Sequence, residues 1–171
     1  MPDDRAPRTV VLGVGNMLMA DDGVGLAALE RLRARWDVSS DAELVDGGTW
    51  GMNLLPVIER ADRLLIFDAI DIAQVPGDVI TLVGEQVPRG LAQKLSPHQV
   101  DLREVLALAE FRGHLPRELV ALGVQPARVE VVASLTDVVA ASLDRVVDLG
   151  VERLQAWGVS CRRAHGADVH A

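Results

Sequence analysis

Cysteine occurs once in this 171-residue chain, at Cys161. That excludes an internal disulfide framework and a cysteine-based zinc site, and it points to a reducing, cytoplasmic setting. Close to a polar tail, Cys161 reads as an incidental thiol rather than a nucleophile. Positive charge is also scarce. Lysine and arginine together number 17 against 25 acidic residues, a formal charge of −8. No basic face is evident to neutralise phosphates, so nucleic acid is not an expected partner. No apolar run approaches the length that spans a bilayer. Residues 1–8 are polar and lack the apolar centre of a signal peptide. Against these absences stands a hydrophobic content of 49%, enough for one domain with a sizeable core. Neither an internal repeat nor a low-complexity linker interrupts it.

Strand-like and helix-like runs alternate, which argues an α/β layered domain. The apolar and β-branched runs Thr9–Leu12, Glu43–Val45, Leu64–Phe67, Val79–Val83 and Glu118–Val124 read as strands. Between them, helical spacing predicts a helix over Asp22–Trp36. A second is expected with Asn53 as its N-cap and Pro56 in its first turn. A third covers Val100–Ala109, and a last one opens between Ser134 and Asp137 and continues to Leu154. Gly84–Pro97 reads as a loop with one helical turn. The expectation is a three-layer α/β/α sandwich with a mostly parallel sheet of about five strands. Thr9–Leu12 and Leu64–Phe67 should be central. Val79–Val83 should run antiparallel at an edge, because its connection from Asp68 is too short for a helical crossover. The domain is expected over residues 1–159, with 160–171 as a disordered tail that has no periodicity.

The first strand runs into Gly13-Val14-Gly15-Asn16, followed by Asp21-Asp22-Gly23-Val24-Gly25. A glycine turn between strand and helix usually cradles a phosphate. Here two aspartates open the helix; they would repel a phosphate and suit a cation. The dinucleotide fingerprint also fails at its third glycine, where Leu18 stands. Asp46 does occupy the place of a ribose-binding acid, which keeps a nucleotide-binding module open. In open α/β sheets, ligands bind outside the carboxyl ends of the strands. Asp22, Asp46 and Asp68 follow the first, second and third strands respectively. One of Asp21 and Asp22 is expected simply to cap the helix, and Asp46 has an alternative as a turn residue before two glycines. Asp68 has the weakest structural alternative, because a carboxylate ending a doubly buried strand needs a reason.

Of four histidines, His165 and His170 lie in the tail and His114 in a turn. His98, in Ser96-Pro97-His98-Gln99, reads either as a helix N-terminal residue or as a metal ligand. Two carboxylates and an imidazole form a mixed oxygen and nitrogen set suited to zinc or nickel. Neither a His-Glu-x-x-His helix nor a Gly-x-Ser-x-Gly elbow occurs.

Taken together, Gly13–Asn16 with Asp21–Gly25, Asp46-Gly47-Gly48-Thr49 with Leu54-Leu55-Pro56, Phe67-Asp68-Ala69 and Ser96–Gln99 resemble the hydrogenase maturation endopeptidases. The likeness runs from about Thr9 to Leu154. It implies an aspartic-type, metal-reading peptidase that trims the C-terminal extension of a [NiFe] hydrogenase large-subunit precursor. Nickel would come with the substrate, and zinc or cadmium would substitute in crystals. Asp22, Asp68 and His98 match the family's metal ligands. Asp22 stands where glutamate is more usual, one methylene longer. Asp46 matches a further acidic position; a metal-polarised carbonyl, a metal-activated water and an aspartate general base, Asp46 or Asp68, are all open as the route of attack. A non-catalytic nickel-dependent chaperone is a second alternative. The oligomeric state is left open, a monomer being one reading.

Overall fold

The computed structural model describes residues 5–91 and 101–165. Its centre is a five-stranded sheet built from β1 (Thr9–Val14), β3 (Ala42–Gly48), β4 (Arg63–Ala69), β5 (Val79–Val83) and β6 (Glu118–Val124). The order across the sheet is β3-β1-β4-β6-β5. β3, β1, β4 and β6 pair in parallel, and β5 pairs antiparallel with β6 at the edge. This is the layered, mostly parallel sheet expected, with β4 in the middle and β1 beside it. Every residue of β1, and all of β4 after Arg63, is buried, as continuous apolar runs covered on both faces must be.

Among the described residues, six helices cover the sheet: α1 (Val24–Arg35), α2 (Leu55–Glu59), α3 (Gln86–Gly90), α4 (Leu102–Phe111), α5 (Asp137–Ala140) and α6 (Leu143–Ala156). The two-residue period of the strands divides the core. Val11, Leu65, Phe67, Val120 and Leu122 face α1 and α6, against Val24, Leu29, Leu32, Val147 and Leu154. Val10, Leu12, Leu64, Ile66 and Ala121 face α2 and α4, against Ile58, Val105, Leu106 and Ala109. α4 opens on a capping box: Asp101 accepts from Arg103 N and Glu104 reaches back to Asp101 N.

Four departures from the expected elements have local causes. The helix predicted from Asp22 instead starts at Val24, after a 3-10 turn over Ala20–Gly23. It ends at Arg35 because Trp36 enters a short strand, β2 (Trp36–Val38). β2 pairs antiparallel with β7 (Cys161–Arg163), so the segment after Ser160, expected as a disordered tail, begins as a strand. Arg163 stacks over the Trp36 ring at 4.5 Å, and Ser39 N donates to Ser160 O. The last helix is broken between α5 and α6. At the break, the Ser142 hydroxyl donates to Gly77 O at 2.6 Å, tying the helix to the turn before β5. Finally, Asn53 does not cap α2; it lies in a 3-10 turn over Gly51–Leu54 that leads into the helix. Pro56 does sit in the first turn.

The glycines of the first loop serve close packing. A Cβ on Gly25 would lie 2.3 Å from both Phe67 O and Val14 O, so α1 can approach the ends of β1 and β4 only at glycine. Gly25→Ala is therefore expected to cost about 3 kcal/mol through overpacking against backbone that cannot yield. A urea melt would show it as a lowered midpoint with an unchanged slope.

Candidate active site

The chain leaves β1 for β3 on one side and reaches β4 on the other, with α1 and α2 on opposite faces. A crevice opens at such a switch point, outside the carboxyl ends of the strands. Two of the expected acids are carried by elements that meet there. The 3-10 turn that carries Asp22 packs on β4, whose penultimate residue is Asp68.

Asp22 is half-buried, and its Oδ2 accepts from Asn16 N at 2.9 Å, which fixes the carboxylate against the loop that precedes it. The loop closes tightly because Gly15 takes φ +129°, and a Cβ there would meet Asp22 O at 2.0 Å. Asp68 is only 2% exposed, and its Oδ1 accepts from Ala69 N at 2.8 Å. Its position in the alternation of β4 puts it on the same face as Leu64, Ile66 and Ile70, toward α2 and α4.

Asp46 is brought to the same edge but not to the same face. Gly13 pairs with Asp46 on one side and Phe67 on the other. In-register parallel neighbours share a face, so Asp46 belongs with Phe67, toward α1, one residue out of phase with Asp68. Two strand spacings, about 10 Å, separate β3 from β4. Asp46 is exposed.

His98 lies outside the described residues. Among the described residues, no three acidic, histidine or cysteine side chains form a metal cluster. Of the three residues expected as donors, Asp22 and Asp68 lie among the described residues. His114 is exposed in the turn after α4, its N–H donating to Ala109 O at 2.8 Å, and His165 is exposed as well. Cys161 is buried, and desolvation pushes its thiol up from its ordinary value, which disfavours the nucleophilic thiolate.

The residue whose part the sequence conceals is Asp21. It is fully buried. Its Oδ2 accepts from Ala127 N and Arg128 N at 2.9 and 3.0 Å, and its Oδ1 from Thr136 N at 2.7 Å. The Thr136 hydroxyl lies within hydrogen-bonding distance of both oxygens. Instead of capping a helix, this carboxylate gathers the loop between β6 and α5 onto the loop bearing Asp22. Backbone bonds from Ala20 N to Val132 O and from Asp21 N to Arg128 O complete the junction. Thr136, at the N-cap of α5, spends its hydroxyl on Asp21 and not on its own helix.

Residues 26–153 match the family model for hydrogenase maturation protease, HycI. The chain belongs to the hydrogenase maturation protease family. It is 37% identical over 161 residues to the hydrogenase expression/formation protein HupD of Rhodobacter capsulatus, covering 93% of this chain and 77% of that protein. The hydrogenase 2 maturation protease of Escherichia coli is 37% identical over 153 residues, covering 89% and 93%. The hydrogenase maturating endopeptidase HybD of E. coli superposes with a TM-score of 0.85 at 36% identity, over 91% of this chain and 97% of that one. As a member of this family the chain is a peptidase, and the sheet edge bearing Asp22 and Asp68 is its candidate active site. No described helix is long and apolar enough to cross a membrane.

Proposed function

We propose that this peptidase removes the C-terminal extension of a [NiFe] hydrogenase large-subunit precursor that already holds nickel, reading that metal through Asp22, Asp68 and His98. The observation that carries the reading is the packing of the turn that bears Asp22 on β4, the strand that bears Asp68, at the switch point of the sheet. Two carboxylates are hard donors and an imidazole is borderline, a set that suits nickel and tolerates zinc or cadmium. Three donors supplied by the enzyme leave room for the ligands the precursor brings. Binding then strengthens only when the substrate arrives loaded, which makes cleavage conditional on cofactor assembly.

Hydrolysis requires water to attack the scissile carbonyl carbon and lose a proton to a base, after which the C–N bond breaks and the departing amine takes a proton. Burial suits Asp68 to holding a metal. Asp46 and Asp68, the acids carried by β3 and β4, are the two candidate bases.

Purified nickel-loaded precursor incubated with the protein should yield a shorter chain on a denaturing gel, together with a released peptide. A chaperone would bind the precursor and leave its length unchanged. A nucleotide-binding module would instead saturate with NAD or ATP without any divalent metal. Either of those results would overturn the proposal.

A further inference from the structure

Isolated apolar side chains on a surface are ordinary; their collection in one place is not. Among the described residues, every large apolar side chain left exposed, apart from Val83 and Phe111, lies at the carboxyl edge of the sheet. Met17 and Leu18 follow β1, Trp50 follows β3, Val75 precedes β5, and Val129 and Val131 follow β6. Leu18 is 63% exposed, Trp50 54% and Val131 83%. Val83 and Phe111 are at the opposite edge, toward the start of β6.

The loops that carry these side chains are stapled to one another. Gly15 N donates to Gly48 O at 3.1 Å, joining the first loop to the one after β3. Asp21 joins the first loop to the one after β6. Gln125, buried at the end of β6, accepts from Ile72 N and Gln74 N through Oε1 and donates to Asp71 through Nε2, joining that loop to the one after β4. The apolar side chains are thus held on a preorganised frame around Asp22 and Asp68, which lowers the ordering cost of burying them.

We infer that this apolar collar is the docking surface for the precursor, and that it seats an apolar annulus of the folded large subunit surrounding the metal. The inference rests on the proposed function. Charge decides between occupants. A second copy of this chain would bring another pair of carboxylates, on a chain of net charge −8, against the first pair. A partner with a cation at the middle of its apolar face neutralises them. The polar centre specifies the metal, and the collar supplies contact area and excludes water around it.

The test compares four proteins on nickel-loaded precursor: wild type, the triple variant Leu18→Ser/Trp50→Ser/Val131→Ser, Val131→Ser alone, and Phe111→Ser. Phe111 is 90% exposed and so provides a matched apolar loss at the wrong edge. The triple variant is expected to raise KM about a hundredfold or more, with kcat within about threefold of wild type, since the lost binding is common to ground and transition states. Phe111→Ser should leave both constants unchanged. Val131→Ser alone, too exposed to disturb the core, should raise KM about fivefold. Wild-type KM in a triple variant that is folded by circular dichroism would overturn the inference, as would an equal rise in Phe111→Ser. A wild-type dimer in sedimentation that the triple variant dissolves would also overturn it, since the collar would then seat a second copy. If wild type leaves loaded precursor uncut, the proposed function fails. Sedimentation of precursor with each protein would still read the collar directly, by loss of the complex in the triple variant alone.

Discussion

His98→Ala should abolish processing of the nickel-loaded precursor, by more than about a hundredfold in kcat/KM, in a protein that folds as wild type. On the proposed function the variant removes one donor of three, and even groups that only orient metal ligands are worth 10- to about 100-fold. His114→Ala is the matched control. That imidazole is exposed in a turn, away from the sheet edge that bears Asp22, and its loss should fall within about 0.5 kcal/mol in stability and leave activity unchanged. Asp68→Asn should behave as His98→Ala does, because the amide keeps the shape of the carboxylate and loses the charge that holds a divalent cation. Cleavage of purified precursor, with circular dichroism to establish folding, reads all three. Full activity in folded His98→Ala would contradict metal reading, and equal loss in His114→Ala would assign the role to the other histidine.

The two adjacent aspartates of the first loop should part company completely. Asp21→Asn is expected to destabilise the protein by about 3 kcal/mol, because the amide has one acceptor oxygen for donors that now converge on two, and its NH2 faces backbone N–H groups. Activity should fall with it, since the loop that holds Asp22 is anchored through Asp21 to Ala127, Arg128 and Thr136. Asp22→Asn should leave stability within about 0.5 kcal/mol, the side-chain oxygen still accepting from Asn16 N, while cleavage is lost. Urea melts beside the cleavage assay separate the two. A stable, inactive Asp21→Asn protein would show that Asp21 contacts substrate, and an unstable Asp22→Asn protein would show that Asp22 is structural.

That distinction shows where the sequence is legible and where it is not. Leu64–Phe67 is readable as the central strand because a short continuous apolar run has few other places to go. The antiparallel direction of β5 follows from the short connection after Asp68. Asp21 and Asp22 are chemically identical neighbours, and what divides them is a loop more than a hundred residues away in the chain. No local pattern carries that information. The same holds for β2 and β7, three-residue strands that exist only because each pairs with the other. Register also hides in the sequence: that Asp46 and Asp68 leave opposite faces follows from Gly13 pairing with Phe67, not from spacing along the chain. The glycines were visible as a loop signal, and their purpose in bringing α1 onto Phe67 O emerges only from the packing.

Metal reading stands or falls on whether the enzyme distinguishes two states of one substrate. The decisive measurement is the initial rate of cleavage by wild-type protein of the same purified precursor, once loaded with nickel and once free of it, at equal concentrations in metal-free buffer. Metal reading through Asp22, Asp68 and His98 predicts cleavage of the loaded precursor and none of the nickel-free form, with activity restored when nickel is inserted into the latter. Equal rates on the two forms would contradict it.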